Sequence, residues 1–584
     1  MCQIGQNGSW PCTIRVGLEP PDVMGLSLPE IGATVIEAVA EHLERSPHVR
    51  RYLELMPKGK GSYSDCPNDP IDELVSHVAR MAGAKGIDKS DPMVNLGWMT
   101  KIMSPVFQLE RQVMKERIDS EVAAGRLTLE RHDQVLLRYG FTLAAQVDAL
   151  FLALFRKLVV PYQQMDESDR KAFAAHAATQ LPEYDYTTYD IGWDNGQYEI
   201  NRRQSWALAF PDETRAICIT LAKMLDDLPE GEPLWEYFSC LMLAYACEEI
   251  DGLEKRWKAV DEAWVKLGSD LLIIPVHGIE TYNLPRGVQP EFRLEFRTDA
   301  SREEIGLAKF ATTKAAENLG LSPAMIRRIG TRLNNTDIGV FVTGAKAGFN
   351  LNFPMAGQSA PNRQEVQETG ARIFIIPSRE ETAVKIYRQL AAQCCDPDTA
   401  IGICDRLTTH EMRDHTIYHE CAHPLGRTAA IDAALGEMGS ELEEAKASLV
   451  GMIAAETINS SPEARQARVA CVTARFCRFF QENMLTNASV APYVRENKVA
   501  AITLMDAGVL TLTDAGICID WELAGTDVWA HQLRLFGVAV TQAYASQDPE
   551  AVRQVARDYY DHDHLRLQAL IDWCRREVPE LAAA

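Results

Sequence analysis

The chain is short of positive charge: 59 lysines and arginines stand against 82 aspartates and glutamates, a net charge of −23. Such an excess repels phosphate backbones and anionic headgroups, which argues against nucleic acid or a membrane as partner. No CxxC pair occurs among the 14 cysteines, and Cys394 and Cys395 are adjacent, a poor arrangement for a disulfide framework. The thiols therefore read as mostly reduced, which fits a cytoplasmic protein. No apolar run is free enough of charge to span a bilayer; the best, 141–160, carries Asp148, Arg156 and Lys157 and reads as a buried helix. The first residues, Met1-Cys2-Gln3-Ile4-Gly5-Gln6, lack a basic region followed by an apolar core, so no secretory signal is expected. A Gly-rich dinucleotide fingerprint, an internal repeat and a low-complexity tract are also missing. Gly344-Ala345-Lys346-Ala347-Gly348 has neither the length nor the Ser/Thr of a phosphate loop and reads as a turn beside a strand.

At 584 residues the chain exceeds one ordinary core, so two or more lobes are expected. Apolar residues recur at helical spacing in 31–55, 105–124 and 127–158. Pro105 after Ser104 and Gly125 after Ala124 bracket one helix with the expected start and stop residues. Between about 271 and 376 the texture changes, and 271–276, 292–296, 338–343 and 372–376 read as short strands. Helical spacing returns from Glu380 onward. The expected class is α+β, predominantly helical, with two lobes and a cleft between them. The expected division is a mainly helical region over 1–230, a mixed lobe with strands over 231–380 and a helical metal-binding lobe over 381–584.

The strongest chemical signal is His419-Glu420-Cys421-Ala422-His423, followed by Glu443-Glu444-Ala445-Lys446. Histidines at i and i+4 project from one helix face and share a metal ion, with the intervening glutamate beside the open position. Zinc lowers the pKa of a bound water to about 7, and a neighbouring carboxylate passes its proton to a leaving group. Two imidazoles and a carboxylate leave a fourth position open, which makes Glu444 the favoured third ligand, with Glu443 and Glu456 next. His415 lies four residues before His419, so that pair also shares a face, and His410 and Cys421 are near. Only His419 and His423 bracket a glutamate suited to be the base, and Cys421 reads as a small apolar packing group. Pro424 lacks an N–H and clashes with the preceding turn, so the helix is predicted to end at its last ligand. His562 and His564, two residues apart, diverge on a helix and read as an exposed polar stretch.

With those segments in view, the sequence resembles the dipeptidyl-peptidase III family of zinc metallopeptidases. The likeness rests on Ile279-Glu280-Thr281-Tyr282, on Ala347-Gly348-Phe349-Asn350-Leu351-Asn352-Phe353-Pro354, and on the His419–His423 motif with Glu443-Glu444-Ala445-Lys446-Ala447. Met505-Asp506-Ala507-Gly508 extends it more weakly, and the five-residue spacing of the histidines looks like a bacterial branch. The resemblance implies a helical zinc-bearing lobe, a lobe built on a five-stranded barrel and a wide cleft. It implies zinc on His419, His423 and Glu444, Glu420 as base, and Glu443 orienting a ligand imidazole. Glu280, Tyr282 and Asn350 would bind substrate, Asn350 on a strand that pairs with an extended peptide. The departures bear on substrate: Ile273 replaces the family's amine-binding glutamate, Pro275 a tyrosine and Ser448 an acidic residue, while Tyr493 falls at the transition-state histidine. The expected activity is zinc-dependent hydrolysis of a peptide or small amide bond. The rivals are a family member turned to a non-peptide specialised metabolite by hydrolysis or cyclisation, and a catalytically silent zinc-containing binding protein.

Overall fold

A computed structural model describes residues 91–577 apart from short internal stretches, together with Ala33 and Glu37. The helix expected over 31–55 and the pair His562/His564 fall outside the described residues. The rest is predominantly helical with three small sheets. Eight helices carry the account: α1 (Ser104–Ala123), α2 (Arg131–Leu154), α3 (Leu253–Trp264), α4 (Arg302–Asn318), α5 (Thr409–Ala422), α6 (Glu437–Ile458), α7 (Pro462–Phe479) and α8 (Ala491–Asp506).

The strands expected over 271–376 form one sheet from β3 (Ile273–Glu280), β4 (Gln289–Arg297), β5 (Thr336–Gly348), β6 (Gly357–Ala360) and β7 (Ala371–Ile375), after a hairpin β1 (Thr187–Asp194) and β2 (Gln197–Ser205). The order is β3-β4-β5-β7-β6, with only the β5–β7 pair parallel. Among the described residues the sheet is open rather than the barrel expected: β3 and the four-residue β6 stand at its two edges without pairing to each other. β5 is longer than expected because Gly344 to Gly348 continues the strand instead of turning. A Cβ on Gly344 would sit 1.8 Å from the Phe296 ring, so its glycine serves close packing. Gly348, at φ +68°, ends the strand.

Two apolar clusters divide the molecule. The first gathers α1, α2, α3 and the β4 face of Phe292, Leu294 and Phe296; the second gathers α4 to α8. The sheet joins both, since Phe341 and Phe374 enter the first while Ile338, Val340, Ile373 and Ile375 enter the second. The other face of β4 is also buried, and its charges close on one another: Arg293 Nε lies 3.0 Å from Glu291 Oε1 and 3.2 Å from Glu295 Oε1. Asp148 of the apolar stretch 141–160 is buried as well, accepting from Arg111 Nη2 at 2.7 Å and from Gly348 N at 2.7 Å, which ties α1 and α2 to the end of β5. Burial holds its carboxyl above the ordinary range against the pull of Arg111.

Pro105 does not start a helix. The chain is already helical from Pro92, and a π turn at Met99–Met103 absorbs the missing N–H just before α1. The same device recurs at Phe155–Val159 before Pro161. The hairpin β1–β2 and a second one, β8 (Leu510–Thr513) with β9 (Gly516–Ile519), interrupt regions that read as helical. Among the described residues no helix is long and apolar enough to cross a membrane.

Candidate metal centre

Helix α5 begins where Thr408 caps it, accepting Glu411 N at 3.2 Å and donating its hydroxyl to the Glu411 carboxylate. It ends at Ala422, where the N–H that Pro424 lacks can no longer extend it, although His423 as C-cap keeps the right-handed geometry that a following proline disfavours. The free carbonyls at that end are taken by one buried cation: Lys446 Nζ of α6 donates to His423 O at 2.8 Å and to Leu425 O at 2.7 Å. The same ammonium lies 3.0 Å from Glu443 Oε1, with both side chains nearly inaccessible. Gly451 lets α6 reach the α5 backbone, since a Cβ there would lie 2.8 Å from Tyr418 O.

This crossing aims the histidines. His423 Nδ1 lies 3.0 Å from Glu443 Oε1, and His419 Nδ1 lies 2.7 Å from Ser448 Oγ. With Nδ1 engaged on each ring, the two Nε2 atoms face each other at 3.1 Å. Glu444 Oε2 is buried and 3.2 Å from His419 Nε2 without meeting it along a hydrogen-bond direction. Glu420 Oε2 stands 4.0 Å from His423 Nε2. Donor atoms of His419, Glu420 and His423 all lie within 4.8 Å of one another, and no other group of three donors does so among the described residues.

The set fits a divalent cation. Bonds of about 2.0–2.1 Å place the ligand atoms of a tetrahedral zinc roughly 3.3 Å apart, close to the 3.1 Å between the two Nε2 atoms and the 3.2 Å from His419 Nε2 to Glu444 Oε2, while the carboxylate that completes the three-donor group is that of Glu420, not Glu444. Two neutral imidazoles and a carboxylate suit zinc, although cobalt or manganese would accept them. Burial opposes a charge on His419, but the Glu444 carboxylate outweighs it, with help from Glu420, and raises the imidazole to about 9. Glu444 is held low in turn, its burial outweighed by His419 and His423. Cys421 is buried in the second cluster, and burial pushes its thiol up to about 12, which suits an apolar packing role.

The other expected residues lie elsewhere. Asn350 is buried in a turn just after β5, donating to Glu291 Oε1 at 2.8 Å, rather than on the strand itself. The backbone of Glu280 ends β3 opposite Gln289, and Tyr282 falls outside the described residues. Tyr493 is partly exposed on the first turn of α8, its ring 5.9 Å from that of Phe479. On the same helix Glu496 pairs with Arg475 at 2.7 Å and adds to the field that charges His419. Ile273 and Pro275 alternate with His277 on one buried face of β3, and Pro275 O accepts Trp264 Nε1 at 2.6 Å. Sequence reasoning missed two parts of the centre: Ser448, which had appeared only as a departure, and Lys446, whose place three residues after Glu443 is helical ion-pair spacing.

No family model matches the sequence, and neither does any curated protein. Solved structures do. Dipeptidyl peptidase III from Caldithrix abyssi superposes with a TM-score of 0.54 at 16% identity, over 78% of this chain and 94% of that one. Dipeptidyl-peptidase III from Corallococcus sp. strain EGB gives 0.53 at 15% identity, over 76% and 91%. The chain therefore has a fold like that of dipeptidyl-peptidase III.

Proposed function

We propose that this chain is a zinc-dependent hydrolase, a divergent relative of the dipeptidyl-peptidase III enzymes of the bacterial type, acting on a peptide or small amide in the cytoplasm. The observation that carries the reading is the convergence of two Nε2 atoms at 3.1 Å, each ring held from behind through Nδ1 by Glu443 or Ser448, with Glu444 alongside. His419, His423 and Glu444 would hold the ion. When bound, zinc supplies a Lewis acid that polarises a carbonyl and brings the pKa of water to about 7. Glu420 takes the proton of the attacking water and returns it to the departing nitrogen. Glu443 and Lys446 keep His423 in place while this happens. Glu280, Tyr282 and Asn350 are proposed as substrate contacts, and Tyr493 as a group near the reacting carbonyl.

Dipeptide release is not the activity favoured. It needs a carboxylate to hold the substrate ammonium, and the family's position for it is Ile273, buried in the first cluster. An ammonium there would lose its hydration without a partner, a cost on the order of several kcal/mol. That burial supports the second reading, a non-peptide metabolite as substrate. The test assays the zinc-loaded protein on free-amine tetrapeptides, N-blocked peptides and small cyclic amides. Hydrolysis is expected in the blocked or cyclic sets. Rapid release of dipeptides from the free-amine set would overturn the substrate reading, and no hydrolysis of any set would favour a silent zinc-containing binding protein.

A further inference from the structure

Helices α4 to α7 enclose a cavity of about 360 Å³, within the size range of small-molecule sites. His415 and Tyr418 reach it from α5, but none of His419, Glu420, His423 and Glu444 lines it. The buried Ile417, Met452 and Ala467 make an apolar floor in its lining, and the partly exposed Glu304, Glu411 and Asp414 mark its mouth. We propose that this cavity binds an organic monocation, a primary ammonium or guanidinium group on a short apolar body of about a dozen heavy atoms or fewer.

The charges at the mouth select the head group. Arg468, the arginine in the lining, turns its Nη2 to Glu456 Oε2 and donates from it to Asn459 O at 3.0 Å, so part of its charge is answered before any ligand arrives. A metal ion is disfavoured, because His410, Glu411 and Asp414 do not bring three donor atoms together as the histidine centre does. Of the three carboxylates, Glu411 is partly used by the Thr408 hydroxyl. Glu304 has no ion pair among the described residues. Asp414 keeps one buried oxygen without a hydrogen bond among the described residues, and its other oxygen lies 3.5 Å from His410 Nε2. Burial raises the Asp414 carboxyl, and Glu411 and Glu304 push it further in the same direction against the pull of His410 and Arg413. A cation seated between Asp414 and Glu304 relieves that repulsion and fills the open acceptor. The apolar body is accounted for as well: Leu307 and Ile458, 43% and 39% exposed, leave hydrocarbon open to water beside the mouth, which a bound ligand would cover.

The test is calorimetric titration of the full chain with phenethylamine, with its neutral isostere 2-phenylethanol and with 3-phenylpropionate. Running it both metal-free and zinc-loaded separates the outcome from the fate of the hydrolase reading. The amine is expected to bind with Kd at or below about 1 mM, and the alcohol and carboxylate at least about tenfold more weakly. Asp414→Asn and Glu304→Gln should each weaken the amine about tenfold, as loss of a charge-assisted hydrogen bond does. Glu304 lies on a helix surface, so its variant serves even where Asp414→Asn fails to fold. Ala455→Leu and Ala464→Phe, which narrow the floor from partly exposed positions, should abolish binding. Equal affinity for amine and alcohol, unchanged affinity in Glu304→Gln, or no amine binding at about 10 mM would overturn the proposal.

Discussion

Replacing Lys446 by methionine keeps most of the side-chain volume and removes one charge from a place with almost no water. Lys446 is 0% exposed, lies 3.0 Å from Glu443 Oε1 and donates to two carbonyls just beyond α5. Its ammonium also sits 5.2 Å from the centre of the Tyr544 ring. Breaking a buried ion pair from one side costs about 3–5 kcal/mol, mostly because the remaining carboxylate is left without its cation. The two carbonyls lose donors at about 1 kcal/mol each, a loss that overlaps with the first because the same atom serves all three. A drop of about 3–5 kcal/mol is expected, read from urea unfolding followed by circular dichroism. The double variant Glu443→Gln/Lys446→Met should recover at least about 2 kcal/mol of it, since removing both charges is far better tolerated than removing one. A loss below about 1 kcal/mol, or a double variant no more stable than the single, would refute the reasoning.

Two further substitutions test the geometry around the histidines. Gly451→Ala should separate α5 from α6, because its Cβ would lie 2.8 Å from Tyr418 O and 3.0 Å from His419 N; a cost of about 1–3 kcal/mol and weaker zinc binding are expected, measured by thermal melting and a competitive chelator titration. His415 is held well below its ordinary 6.5 by burial, with Arg475 and His419 adding to the effect. The unfolded chain therefore takes up a proton below about pH 6.5 that the folded chain refuses, so this contribution to stability is present above 6.5 and is lost as the pH falls. His415→Asn should reduce the slope of stability against pH between about 6.5 and 5 by up to roughly 1.4 kcal/mol per pH unit, and an unchanged slope would contradict it.

Much of the centre was legible because it obeys local rules. The spacing of His419 and His423 on one helix face, and the stop imposed by Pro424, depend only on helix geometry and a missing N–H. Four strands were placed from their apolar texture. What failed depends on partners distant in sequence. Gly344 and Gly348 read as a turn, yet Gly344 is small because the Phe296 ring crosses it. Pro105 read as a helix start, yet a π turn lets the helix pass through it. β4 alternates charged and apolar residues like a half-exposed strand, and only its closed ion pairs reveal that both faces are buried. The hairpin β1–β2 carried its own signal, Asn195-Gly196, which the helical texture around it obscured. Ser448 looked like a loss because it replaces an acidic residue, whereas its hydroxyl lies at hydrogen-bond distance from His419 Nδ1.

The most direct test of the account is the metal content of three proteins after zinc loading and gel filtration: the native chain, Glu420→Gln and Glu444→Ala. The native chain and Glu420→Gln should each retain about one ion, with hydrolysis lost in the latter, and Glu444→Ala should retain little. A full equivalent of zinc in Glu444→Ala would reassign the third ligand, and none in the native chain would contradict the central claim.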